Sequence, residues 1–92
     1  MRESEIEAHL VKRVKELGGE VRKVKWIGRR GAPDRLVMWR HAVFGPLAFW
    51  VELKATGVEP ESHQLREHAR LRAIGQRVVV IDSIKGVEDL LS

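Results

Sequence analysis

Two apolar runs, Arg35–Arg40 (RLVMWR) and Leu47–Leu53 (LAFWVEL), flank a short segment punctuated by Gly45-Pro46, and this arrangement constrains the fold more than any other feature of the chain. Runs of this length and composition read as strands, and the Gly-Pro turn joins them as a hairpin. Asp34 opens the first strand, and Glu52, Leu53 and Lys54 close the second. A hairpin centred near Val43 sets Asp34 opposite Glu52, and directly opposed residues project to the same face. Strand side chains alternate with period two, so Glu52 and Lys54 share that face while Leu53 turns into apolar packing. The sequence therefore predicts two carboxylates and one ammonium gathered at the open end of a hairpin.

The remaining segments supply the layers around it. Ser4-Glu5-Ile6-Glu7 matches a capping box, so a helix is expected to start near Ser4. Ile6, Leu10, Val14 and Leu17 recur at helical spacing until Gly18-Gly19. Val21–Ile27 alternates apolar with basic residues and reads as a strand; Gly28–Pro33 reads as a loop. A second helix is expected from about Glu61 to Ile74, with Leu65, Ala69 and Ala73 as its apolar stripe and Gly75 closing it. Val78–Ile81 is an uninterrupted apolar strand, and Ser83 caps a short last helix carrying Val87, Leu90 and Leu91. The order α-β-β-β-α-β-α, with a helical crossover before the fourth strand, predicts an α/β fold. Its four-stranded sheet is mixed, with the last pairing parallel and right-handed. No repeat or linker divides the 92 residues, so one domain over 1–92 is expected.

Two opposed carboxylates repel, and a hard divalent cation removes that cost because Mg²⁺ takes carboxylate oxygens alongside waters and phosphate. An Asp34–Lys54 or Glu52–Lys54 ion pair in solvent is the competing reading; it fits poorly beside the apolar Leu47–Val51. Glu7 adds a third carboxylate. At about 100° per residue it falls inside the arc of Ile6, Leu10, Val11, Val14 and Leu17, so it leans toward the protein and needs a partner. It is equally the reciprocal acid of the proposed capping box, and both roles stand at this point.

Charge narrows the partner. The chain carries 17 Lys and Arg against 13 Asp and Glu, and eleven of the basic residues fall in the first 40 positions. Such asymmetry points to a polyanion, nucleic acid being the commonest, or to no more than a basic solvated surface. Arg29 and Arg30, in the loop before Asp34, can grip phosphates or form a plain basic turn. With no cysteine, disulfides and thiolate metal sites are excluded, which suits the cytoplasm. No apolar run reaches membrane-spanning length, and the charged N-terminus lacks the apolar stretch of a secretory signal.

Gly31-Ala32-Pro33-Asp34-Arg35, then Glu52-Leu53-Lys54 eighteen residues after Asp34, then Gln64 early in the next helix, resembles the PD-(D/E)XK nuclease signature. The ordered set, with a leading helix bearing Glu7 and Gly75-Gln76-Arg77-Val78-Val79-Val80 near the end, is similar to the VRR-NUC family in its stand-alone viral and bacterial form. Proline-Asp with Glu-x-Lys alone is a weak pattern; the whole order, covering nearly the full chain, is fairly specific. The resemblance implies a restriction-endonuclease-like core and a Mg²⁺- or Mn²⁺-dependent endonuclease acting on branched DNA, such as four-way junctions, as a homodimer. It implies a place of action in the cytoplasm of a bacterium or a virus-infected host cell. It implies Asp34, Glu52 and the Leu53 carbonyl as metal ligands, with Glu7 reaching the metal directly or through water. Lys54 would then activate water or offset charge, and Gln64 would position Lys54 or the water. Lys25, Arg29, Arg30 and Arg35 are the expected nucleic-acid contacts.

Two rival classes remain: a basic DNA- or RNA-binding module without catalysis, and a nuclease-fold subunit of a larger complex. The first leaves the alignment of Asp34, Glu52 and Lys54 without a cause. His9, His41, His63 and His68 show no ligand spacing and are read as structural, although His63 neighbours Gln64. Trp26, Trp39 and Trp50, on predicted strands, are read as packing residues; Trp26 adjoins the basic loop and is the best of them for base stacking.

Overall fold

The computed structural model describes residues 1–92. Helix α1 (Glu3–Glu16) precedes strands β1 (Glu20–Lys23), β2 (Arg35–His41) and β3 (Gly45–Leu53); α2 (Ser62–Ala73), β4 (Val78–Ile81) and α3 (Ile84–Leu91) follow. The sheet order is β1-β2-β3-β4, antiparallel except for the parallel β3–β4 pair across the α2 crossover. This is the mixed α/β architecture that the alternation of strand and helix patterns requires.

The hairpin register is the one expected from the sequence. Arg35 pairs with Val51, Val37 with Phe49 and Trp39 with Leu47, which centres the hairpin on Val43. One face of the sheet presents Val37, Trp39, Val51, Leu53 and Ile81; these pack with Ile6, Leu10 and Val14 of α1 and Val87 and Leu91 of α3 into one apolar cluster. Each such aliphatic side chain contributes roughly 1.5–3 kcal/mol relative to an exposed one. Across the top of this layer Glu88 of α3 accepts from His9 Nε2 at 2.8 Å and Arg13 Nε at 3.0 Å, tying the last helix to the first. Helix α2 covers part of the opposite face, burying Leu71 and His68, and Arg72 donates to the Val78 carbonyl.

Several local expectations change. The N-cap of α1 is Arg2, two residues before the expected Ser4, and the acid that reaches back to the Arg2 backbone N–H is Glu5, not Glu7. Strand β1 stops at Lys23 instead of Ile27. Its last neighbouring bond runs from Val24 N–H to the Asp34 carbonyl, after which the chain turns so that Trp26 Nε1 donates to the Pro33 carbonyl at 2.8 Å. Satisfying the indole N–H and packing its ring outweigh further edge-strand pairing. In α2 the inward residues are Glu67, His68 and Leu71, while Leu65, Ala69 and Ala73 face outward. The apolar stripe misleads there because the helix covers a charged region of the sheet. The Ser83 cap is as expected, its Oγ accepting from Gly86 N–H at 2.9 Å. No helix is long and apolar enough to cross a membrane.

Gly19 carries the tightest approach in the fold. A Cβ there would sit 2.3 Å from the Met38 carbonyl and 2.8 Å from Trp39 Cβ. Gly19→Ala is therefore expected to destabilise by roughly 1–3 kcal/mol or more through overpacking, lowering the melting temperature by at least several degrees. An unchanged melting curve would mean that α1 does not pack against β2 this closely.

Candidate functional site

The register that builds the core also builds the site. Continuing the β2–β3 pairing one step beyond Arg35–Val51 sets Asp34 opposite Glu52 on the face away from α1 and α3. Lys54, two residues past Glu52, shares that face, and its backbone N–H still donates to the Ile81 carbonyl, so it leaves the sheet in ladder geometry. Leu53 points into the core. Asp34, Glu52 and Lys54 are thus brought to one rim of the sheet.

Glu52 is the unusual member. Only 9% of the residue is exposed, and no guanidinium or ammonium lies within ion-pair distance of it. Burial pushes its carboxyl up from 4.5 to about 7; the nearby Lys54 charge opposes the rise, and the Asp34 and Glu3 charges add to it. Its one hydrogen-bond partner is His68, whose Nε2 lies 3.4 Å from Oε1. His68 is completely buried, its pKa is lowered by burial and by the Arg72 and Lys54 charges, and its Nδ1 has no partner. A neutral imidazole with Nε2–H donating to Glu52 satisfies this geometry. His68 is the site residue that spacing did not reveal. The available signal was its position four residues after Gln64, which places both on one helical face.

Arg35 projects to the other face and reaches around the start of β2. Its side chain is 12% exposed, and its Nε donates to Glu7 Oε2 at 2.7 Å. Its Nη2 also bonds Glu7. Its Nη1 comes within 2.8 Å of Asp34 Oδ1, too obliquely for a hydrogen bond, so that contact is electrostatic. Arg35 accordingly sits inside a Glu7–Arg35–Asp34 chain of charges and is not a free cation on the surface, as a phosphate contact would be. Glu7 finds the partner its position called for, in this chain and not in a capping box. Gln64 caps α2, its Oε1 accepting from Glu61 N–H at 2.9 Å.

Lys25, Arg29 and Arg30 are exposed and make no ion pair. Arg29 lies close enough to α2 for its charge to help lower the pKa of Glu67, after the larger effect of the Arg70 hydrogen bonds. His41 holds the β2–β3 turn, its Nδ1 accepting from the Val43 and Phe44 N–H groups. A hollow of about 610 Å³ at the other end of the strands, near Gly19 and Arg40, includes none of Asp34, Glu52 and Lys54.

The donor set suits a hard cation. Two carboxylates, one of them desolvated and lacking a cation, are the ligands that Mg²⁺ or Mn²⁺ takes when water and phosphate complete the shell. No three His, Asp or Glu side chains gather closely enough to bind a metal on their own. Glu7, directed at Arg35, does not join the other two.

No protein-family model matches the chain. A protein of Acyrthosiphon pisum secondary endosymbiont phage 1, named "Putative nuclease p44", is 51% identical over 83 residues, which is 90% of this chain and 85% of that protein. A solved structure of a VRR_NUC domain matches with a TM-score of 0.80 and 40% identity, covering 96% of this chain and 91% of the other.

The raised Glu52 pKa has a consequence for stability. Between the unfolded value of 4.5 and the folded value of about 7 the native state binds the extra proton. Stability without divalent ions should therefore fall as pH rises through that window, by up to roughly 3 kcal/mol, and level off above it. Glu52→Gln should flatten the slope. Denaturant melts in EDTA across this range measure it, and a wild-type slope identical to that of the variant would contradict the burial of an unpaired carboxylate.

Proposed function

This chain belongs to the VRR-NUC family, and from that membership we propose that it is a divalent-metal-dependent endonuclease hydrolysing phosphodiester bonds in DNA. The observation that carries the reading is the buried Glu52 carboxylate, without a cation of its own, beside Asp34 and Lys54. A basic binding module has no use for a carboxylate held in that state.

In this reading Asp34 and Glu52 hold Mg²⁺ or Mn²⁺, with the Leu53 carbonyl as a further oxygen donor. A bound ion of this kind polarises a phosphoryl oxygen and lowers the pKa of water. The protein's own groups do the rest. His68 fixes the Glu52 carboxylate from below. Arg35, tied to Glu7, restrains Asp34 from the side, so Glu7 acts through Arg35 or through water. Lys54 supplies fixed positive charge for the negative charge that develops on the attacked phosphate. Gln64, with its oxygen on the α2 cap, has its amide N–H groups left to orient Lys54 or the attacking water. Lys25, Arg29 and Arg30 neutralise neighbouring phosphates.

Branched DNA, four-way junctions in particular, is the proposed substrate and a homodimer the working form. A two-fold pair of sites matches a junction with two equivalent strands. The bacterial or infected-cell cytoplasm is the proposed place of action, in keeping with a chain free of cysteine.

Labelled four-way junctions, flaps and single strands incubated with Mg²⁺ or Mn²⁺ test this. Junction cleavage by the wild type should fall about 100-fold or more in Glu52→Gln and Lys54→Ala while DNA binding persists. Intact substrates with both ions would end the nuclease reading, and binding alone would leave the non-catalytic module.

A further inference from the structure

We propose that the pocket beside Asp34 binds one unpaired nucleotide, with its base against Trp26 and its phosphates against Lys23, Lys25 and Arg29; its placement next to the scissile bond rests on the nuclease reading above. The pocket holds about 460 Å³, and its lining includes these four residues together with Gly31 and Asp34. That volume lies in the range of small-ligand sites, roughly 300–1,000 Å³.

Charge identifies the ligand as an anion. Arg2, Arg22 and Arg70 are each matched by a nearby carboxylate. Lys23, Lys25 and Arg29 make no ion pair, since Glu67 beyond Arg29 is held by Arg70, and the one acid in the lining, Asp34, faces Arg35. Three unmatched cations around one hollow repel each other until an anion enters.

The aromatic wall identifies the rest of the ligand. Trp26 is half-buried and lines the pocket; its indole N–H is already bonded to the Pro33 carbonyl, and its ring meets Trp50 at 4.8 Å between centroids. What the pocket receives from Trp26 is therefore ring surface and not a hydrogen bond. Cations with an aromatic platform are the combination that binds single-stranded nucleic acid, because every base has a π-face. In a duplex that face is covered by its neighbours. An unpaired nucleotide at a branch, flap or strand end presents it without unstacking.

The walls are built in advance. The Val24–Asp34 backbone bond closes the base of the loop. Gly31, at φ +83°, lies so close to α2 that a Cβ would come within 2.9 Å of the His63 carbonyl. A pocket fixed at both ends loses little entropy when filled. Its opening onto Asp34 makes it a selector: the strand cut is the one that can place an unpaired nucleotide there.

Fluorescence anisotropy in EDTA tests this apart from hydrolysis. Labelled oligothymidylate, an abasic strand of the same length and a duplex are titrated with wild type, Trp26→Phe and Trp26→Ala. Wild type should bind the abasic strand about tenfold more weakly than oligothymidylate. Trp26→Ala should erase that difference and leave duplex affinity unchanged, and Trp26→Phe should keep it. Equal wild-type affinity for abasic and base-bearing strands overturns the proposal without any variant needing to fold. So does an equal loss on duplex and single strand in Trp26→Ala. A protein that cleaves DNA yet ignores the bases refutes the pocket alone, whereas one that reads bases and never cleaves refutes the nuclease reading alone.

Discussion

The register of β2 against β3 is the constraint from which the rest follows. Pairing Arg35 with Val51 sends Val37, Trp39, Val51 and Leu53 into the core and leaves Glu52, Lys54 and Asp34 on the other face. A slip of one residue would bury the charged set under α1 and α3 and expose the apolar set to water. The core thus enforces the site. The same burial that stabilises the sheet fixes where two carboxylates and an ammonium meet.

The second face carries the opposite balance. Helix α2 brings a histidine and a glutamate to its inner surface where a purely structural helix would bring leucines. His68 gives Glu52 one neutral hydrogen bond, enough to orient the carboxylate but not to neutralise it. Asp34 has its charge partly met by Arg35, which Glu7 holds in turn. The two carboxylates consequently differ: Asp34 faces the Arg35 guanidinium, whereas burial without a cation pushes the Glu52 carboxyl up to about 7. A cation arriving between them would relieve the desolvation of Glu52 and the repulsion from Asp34 together. Stability withheld in the free protein becomes affinity for that cation, as expected where local rules are broken at a functional site.

Much of this was legible in the sequence because it depends on periodicity. The hairpin centre, the face shared by residues 34, 52 and 54, the inward Leu53, strand β4 and the Ser83 cap all follow from counting. The failures have physical causes too. Strand β1 ended early because Trp26 bonds and packs in the loop, a tertiary preference that alternation in Val21–Ile27 does not encode. Glu5 takes the capping role because the N-cap is Arg2, two residues before Ser4, which frees Glu7 for Arg35. Arg35, expected with Lys25, Arg29 and Arg30 as a nucleic-acid contact, is turned inward by strand parity and held between Glu7 and Asp34. His68 reads as merely structural in the sequence because a buried polar face has no hydrophobic signature; only its partner Glu52, sixteen residues away in sequence, gives it meaning.

The central claim is that Asp34 and Glu52 form one cation site on the face shared with Lys54. Paramagnetic broadening by Mn²⁺, followed by NMR at substoichiometric ion, tests it most directly. The account predicts that signals of Asp34, Glu52, Leu53 and Lys54, with the His68 ring, broaden first, while those of Val43 and Phe44 at the far end of the hairpin stay sharp. Broadening centred on any other group of acids, or none at all near Glu52, would contradict it.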